Sequence, residues 1–143
     1  MYDLKFQNYL SENTGVDIYT IGSLFDKHKN DVFAVALELI EHHGISDSQL
    51  GKLWGSYLGF AYVDPNSSIV NREYVDKVGV EFILDNSVMP LYKFGKAVTV
   101  TTSNPKNLFV QDKLEKRLGE LVSFVFCFPF DIDICIQRIG LKK

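Results

Sequence analysis

The sequence predicts an α+β fold, in which a helical N-terminal subdomain leads into a small three-stranded sheet with helices packed on it. Three observations carry this. Residues 2–58 repeat their apolar positions at helical spacing. Residues 88–102 read as a β-hairpin, and Leu121 to Phe128 forms an almost unbroken apolar run. The expected division is a helical part over 1–64 and an α/β part over 65–143, in the order helix, strand, strand, helix, strand, helix.

The first helix places Tyr2, Phe6, Tyr9 and Leu10 on one face before Ser11–Gly15 supplies stop and turn chemistry. Ile18, Ile21, Leu24 and Phe25 suggest a second helix, which Gly22 weakens by about 1 kcal/mol relative to Ala. Asn30 or Asp31 can cap a third from Val32 to His43, apolar nearly all round and expected to be buried. Gly44 stops it in a left-handed conformation. Ser46 and Gln49 have capping-box spacing. The helix they open carries Leu50, Leu53, Trp54, Tyr57 and Leu58 on one side and ends at Gly59.

Asp64–Ser68 is the expected linker between the two parts. Beyond it a helix over 72–86, with a break near Gly79, leads into Val88–Tyr92. Pro90 cannot donate to a ladder, which suits an edge strand. A turn at Phe94-Gly95-Lys96 joins it to the β-branched run Ala97–Thr102. The next helix aligns Leu108, Gln111, Leu114 and Leu118, with Gly119 closing it. Leu121–Phe128 reads as a strand covered on both faces, and Pro129 opens a last helix through Ile132, Cys135, Ile136 and Ile139.

The composition narrows the function. With 11 Phe and 7 Tyr among 143 residues the chain can build a core, so disorder is excluded. Its net charge is −3, and no stretch concentrates Lys or Arg, so a nucleic-acid partner is not expected. No apolar run reaches the ~20 residues of a membrane span, and the first residues lack the basic and apolar regions of an export signal. The expected setting is therefore cytoplasmic, without direct membrane insertion. Cys127 and Cys135 sit among large apolar residues and read as buried free thiols.

Reaction chemistry is hard to locate. Gly51-Lys52 and Gly95-Lys96 lack the spacing of a phosphate-binding loop, and no dinucleotide fingerprint or nucleophile elbow occurs. His42 and His43 point about 100° apart on a helix and cannot share a metal without strain; near the helix end they suit its dipole. Glu38 and His42 have the spacing of an i, i+4 surface pair, and Asp131 that of a first-turn carboxylate. The chain is thus expected to have no catalytic residue, metal or cofactor. The helical part is rich in aromatics, Tyr2, Phe6, Tyr9, Tyr19, Phe25 and Tyr57; most are read as core and the remainder as a docking face, with Tyr2, Phe6, Tyr9 and Phe25 the candidates for it.

One run of motifs resembles a known family. Gly44-Ile45-Ser46-Asp47-Ser48-Gln49-Leu50 is followed by Tyr57-Leu58-Gly59-Phe60-Ala61-Tyr62-Val63-Asp64. Val88-Met89-Pro90-Leu91, Val98-Thr99-Val100 with Ser103-Asn104-Pro105, and Leu108, Leu114 and Gly119 come next in order. Together, over roughly residues 32 to 140, they resemble the N-terminal domain of the traffic ATPases that drive type II secretion and type IV pilus assembly. The resemblance implies the front of a hexameric ATPase whose ATP and magnesium belong to a further part of the protein. It also implies docking onto the cytoplasmic region of an inner-membrane assembly protein, and hence a place at the inner membrane through that partner. Some relatives bind cyclic di-GMP through a tandem Arg-Leu-Gly motif ending in Gln. Here those positions hold Ala34, Val35, Ala36 and Tyr57, which removes the guanidinium that would pair with phosphate or stack on guanine.

Overall fold

A computed structural model describes residues 2–29 and 31–140. The chain divides into two compact units, residues 1–58 and 59–143.

Among its described residues the first unit has four helices: α1 (Leu4–Thr14), α2 (Ile18–Lys27), α3 (Val32–His42) and α4 (Asp47–Leu58). Side chains fix their starts. Asp3 caps α1, Asp17 caps α2 and Asp31 caps α3, each accepting a backbone N–H of the first turn. Ser46 Oγ accepts the Gln49 N–H at 3.0 Å, the first half of the capping box. The residues read as a stop after Leu10 instead extend α1 to Thr14. Asn13 Nδ2 and Thr14 Oγ1 turn back onto the carbonyls of Tyr9 and Leu10, and Gly15 (φ 77°) ends the helix. Val35, Ala36 and Leu39 bury one face of α3, while Leu37 lies on its exposed side, so this helix is amphipathic rather than buried all round.

Among its described residues the second unit is a mixed sheet of three strands with four α-helices. It runs α5 (Arg72–Val78), α6 (Val80–Asn86), β1 (Val88–Phe94), β2 (Ala97–Thr102), α7 (Leu108–Leu118), β3 (Leu121–Phe126) and α8 (Pro129–Arg138). The expected 72–86 helix is two, broken at Gly79 (φ 91°, ψ 137°). The sheet order is β1-β2-β3, with β1 antiparallel and β3 parallel to the central β2. Pro90 does lie on an edge strand. The register slips between Pro90 and Tyr92, and the carbonyl of the extra residue, Leu91, accepts the Asn71 N–H at 2.8 Å.

Val98 and Val100 of β2 share a core with Val122 and Phe124 of β3, Leu114 and Leu118 of α7, and Ile132, Cys135 and Ile136 of α8. Burial on both faces falls on β2 and on Val88–Leu91 of β1, not on the start of β3. In β3 burial alternates at its start, where Leu121 and Ser123 are exposed and Val122 and Phe124 buried, because one face of this end of the strand is left uncovered. Asp64–Ser68 is no linker in this structure. Asp64 caps a 3-10 turn over Pro65–Ser67, and just before it Tyr62 pairs in parallel with Phe126, so residues 59–64 belong to the sheet unit.

Candidate docking surfaces

The aromatics read as a docking face mostly build the helical unit's interior. Phe6 is fully buried, with ring centroids 4.8 Å from Trp54, 4.8 Å from Tyr57 and 5.0 Å from Tyr2. A buried ring cannot meet a partner, so Phe6 is a core residue. Phe25 packs edge-on against it at 6.2 Å. Tyr2 and Tyr9 are half-buried and their hydroxyls are engaged. Tyr2 accepts from Trp54 Nε1–H at 3.0 Å, and Tyr9 donates to the Leu53 carbonyl at 2.7 Å. Burial holds the Tyr2 phenol above its ordinary pKa, against the lowering effect of the Trp54 hydrogen bond. What this unit offers outward is an open groove of about 490 Å³ along α1 and the end of α4, lined by Leu4, Lys5, Asn8, Tyr9, Glu12 and Tyr57.

Of the motif positions, Ala34, Val35 and Ala36 do not line this groove, and Tyr57 is one of its walls. Val35 and Ala36 are buried in α3, and Tyr57 spends its ring on Phe6 and on Tyr9, 5.0 Å away. Glu38 does not pair with His42. Its Oε1 receives Lys27 Nζ at 2.6 Å and lies 3.0 Å from His28 Nε2, tying the end of α2 to α3. Those hydrogen bonds, Lys27 first and His28 second, lower its carboxyl to about 2. Both cysteines are free and buried, and burial pushes the thiols up, Cys127 furthest.

The sheet unit presents a more exposed apolar surface, at the start of α7. Asn107 caps this helix through Val110 N–H, and the first turn projects Leu108 and Phe109, 73% and 81% exposed. Leu108 was expected on the core face with Leu114 and Leu118. It stands at the first residue of the helix, where Val110 rather than Leu108 packs toward the core and Gln111 turns to the strand backbone. Leu108 is one wall of an open groove of about 470 Å³, with Phe60, Lys106, Gln111 and Phe124 among the others. Sequence reasoning passed over Phe109. The signal was available, since adjacent apolar residues on a helix point about 100° apart and only one can face a core.

Among the described residues no group of three His, Cys, Asp or Glu side chains is placed to hold a metal ion, and no helix is long and apolar enough to cross a membrane. A helical unit followed by a three-stranded mixed sheet with packed helices is the two-part α+β class that the resemblance to the traffic-ATPase N-terminal domain implies. The chain belongs to the MshEN domain family, whose family model matches residues 58–142. A solved structure described as MshE with cdg superposes with a TM-score of 0.65 over 95% of this chain and 97% of its own. At 19% sequence identity it shows the shared fold. A search of curated proteins returns no match.

Proposed function

We propose that this chain is a non-catalytic docking and regulatory domain of a type II secretion or type IV pilus assembly ATPase. In this reading it binds the cytoplasmic region of an inner-membrane assembly protein and is held at the membrane through that partner. The hexamer-forming ATPase part, with its ATP and magnesium, lies in a further part of the protein. The observation that carries the reading is the adjacent exposed pair Leu108 and Phe109 beside an apolar groove. Fully burying such side chains is worth about 1.5–3 kcal/mol each, which a docked partner would recover. The test is a calorimetric titration of the chain with the assembly protein's cytoplasmic region. A saturable complex that Leu108→Asp with Phe109→Asp abolishes supports the reading, and a flat titration removes it.

The similarity to a structure described as MshE with cdg favours a second reading, the binding of cyclic di-GMP. The residues here do not fit that ligand well. The helical unit contains no arginine, and its eight carboxylates face four lysines, so a doubly anionic phosphodiester meets an unfavourable field. Ala34, Val35, Ala36 and Tyr57 supply no cation. Titration with cyclic di-GMP decides between them: no heat leaves docking alone, and a saturating curve replaces it with sensing.

A further inference from the structure

The outer edge of β3 is closed at both ends and open in the middle. Cys127 N–H reaches back to the Thr102 carbonyl at 3.0 Å, whereas Phe126 N–H donates to Ala61 O at 2.7 Å and Phe126 O accepts from Val63 N–H at 2.9 Å. Odd residues of β3 therefore turn their backbone groups to β2, and even residues turn theirs outward. Val122, outward-facing, is also engaged: Glu115 Oε2 accepts its N–H at 2.9 Å and Gln111 Nε2 donates to its carbonyl at 2.8 Å. Phe124 lies between them. Its outward N–H and C=O have no partner among the described residues, and they border the groove of Phe60, Lys106 and Leu108.

This arrangement excludes one mode of recognition and favours another. A whole added strand needs several consecutive open residues. Here Val122 and Phe126 are four residues apart, about 13 Å of strand, with one open position between them. The groove beside that position is apolar except for Gln111, already engaged, Ser123 and Lys106. Lys106 is the one charged residue lining it and makes no ion pair with a described residue. An occupant complementary to these features is extended at a single residue, carries a large apolar side chain, and brings a carboxylate.

We infer that Phe124 forms a one-residue backbone bridge with an extended segment of a partner protein, whose apolar side chain enters between Phe60 and Leu108 and whose carboxylate meets Lys106. The inference rests on the docking reading and specifies what is docked. Such a bridge would satisfy the Phe124 N–H and C=O, which no described residue satisfies.

The test is selection of a displayed library of 12-residue peptides on the whole chain, followed by amide exchange of the complex. The expected consensus is a large apolar residue within two positions of Asp or Glu. Binding then slows exchange at the Phe124 amide and leaves Val122 and Phe126 unchanged, and Lys106→Glu turns the consensus from acidic to basic. No enrichment, an acidic consensus that survives Lys106→Glu, a self-associated dimer that buries the groove, or unchanged exchange at Phe124 overturns the inference. A complex with the assembly protein's cytoplasmic region that leaves Phe124 exchange unaltered overturns this inference alone. Absence of any such complex overturns the docking reading and this one with it.

Discussion

Glu115 Oε2 accepts the backbone N–H of Val122 at 2.9 Å, so a helix side chain does for the β3 edge what a neighbouring strand would otherwise do. Removing it strands a partly buried donor, and the bond is charge-assisted. Glu115→Ala should cost about 1–3 kcal/mol, with Glu115→Gln intermediate. Urea unfolding of the three proteins measures this, and equal midpoints would show that the cap is idle.

Phe6 and Tyr19 provide a sharper contrast. Phe6→Ala should destabilise the helical unit by about 3–5 kcal/mol, the usual range for emptying a buried aromatic site. Tyr19 is exposed, and its truncation should stay within about 0.5 kcal/mol. Trp54 fluorescence during unfolding reports both, since its ring contacts Phe6 directly. A small effect at Phe6 would return that residue to the surface.

The pH dependence follows from Glu38. Its carboxyl in the folded chain is lowered from 4.5 to about 2 by Lys27 and His28. A depressed folded value means the carboxylate stabilises the fold above about pH 4.5 and loses that contribution as pH falls towards 2. Glu38→Gln should therefore narrow its stability deficit against the parent across that window. Thermal melts at stepped pH test it, and parallel curves would contradict it.

Gly79 holds φ 91° and ψ 137° between α5 and α6. A Cβ there has room, its nearest neighbour being Arg117 Nη1 at 3.9 Å, so the penalty is conformational rather than steric crowding. Gly79→Ala should cost about 1–3 kcal/mol, or restore a continuous helix and displace β1. Unfolding free energy together with backbone chemical shifts distinguishes these outcomes from a neutral change, which would deny that the break is needed.

Much of the fold was legible because single residues decide it. Ser46 and Gln49 announce a helix start, Gly79 a break, Pro90 an edge strand and Pro129 a helix start. The misreadings share a cause: periodicity reports apolar character but not what lies opposite. Leu121–Phe128 is apolar enough for a central strand, yet β3 is an edge and leaves Leu121 and Ser123 to solvent. Glu38 has the right spacing for His42, but Lys27 and His28 approach from another helix and take it. The aromatics of the helical part were legible as mostly core, but which of them pack around Phe6 could not be read from one strip of sequence. The open Phe124 position depends on four hydrogen bonds from three separate segments, so no local motif marks it.

The claim that this domain works by docking a protein through its sheet unit is met most directly by hydrogen–deuterium exchange. The measurement compares the free chain with its complex with the assembly protein's cytoplasmic region. Slowed exchange over residues 106–111 and at Phe124 is the predicted footprint. Protection confined to residues 1–58, or none anywhere in a saturated mixture, would contradict it.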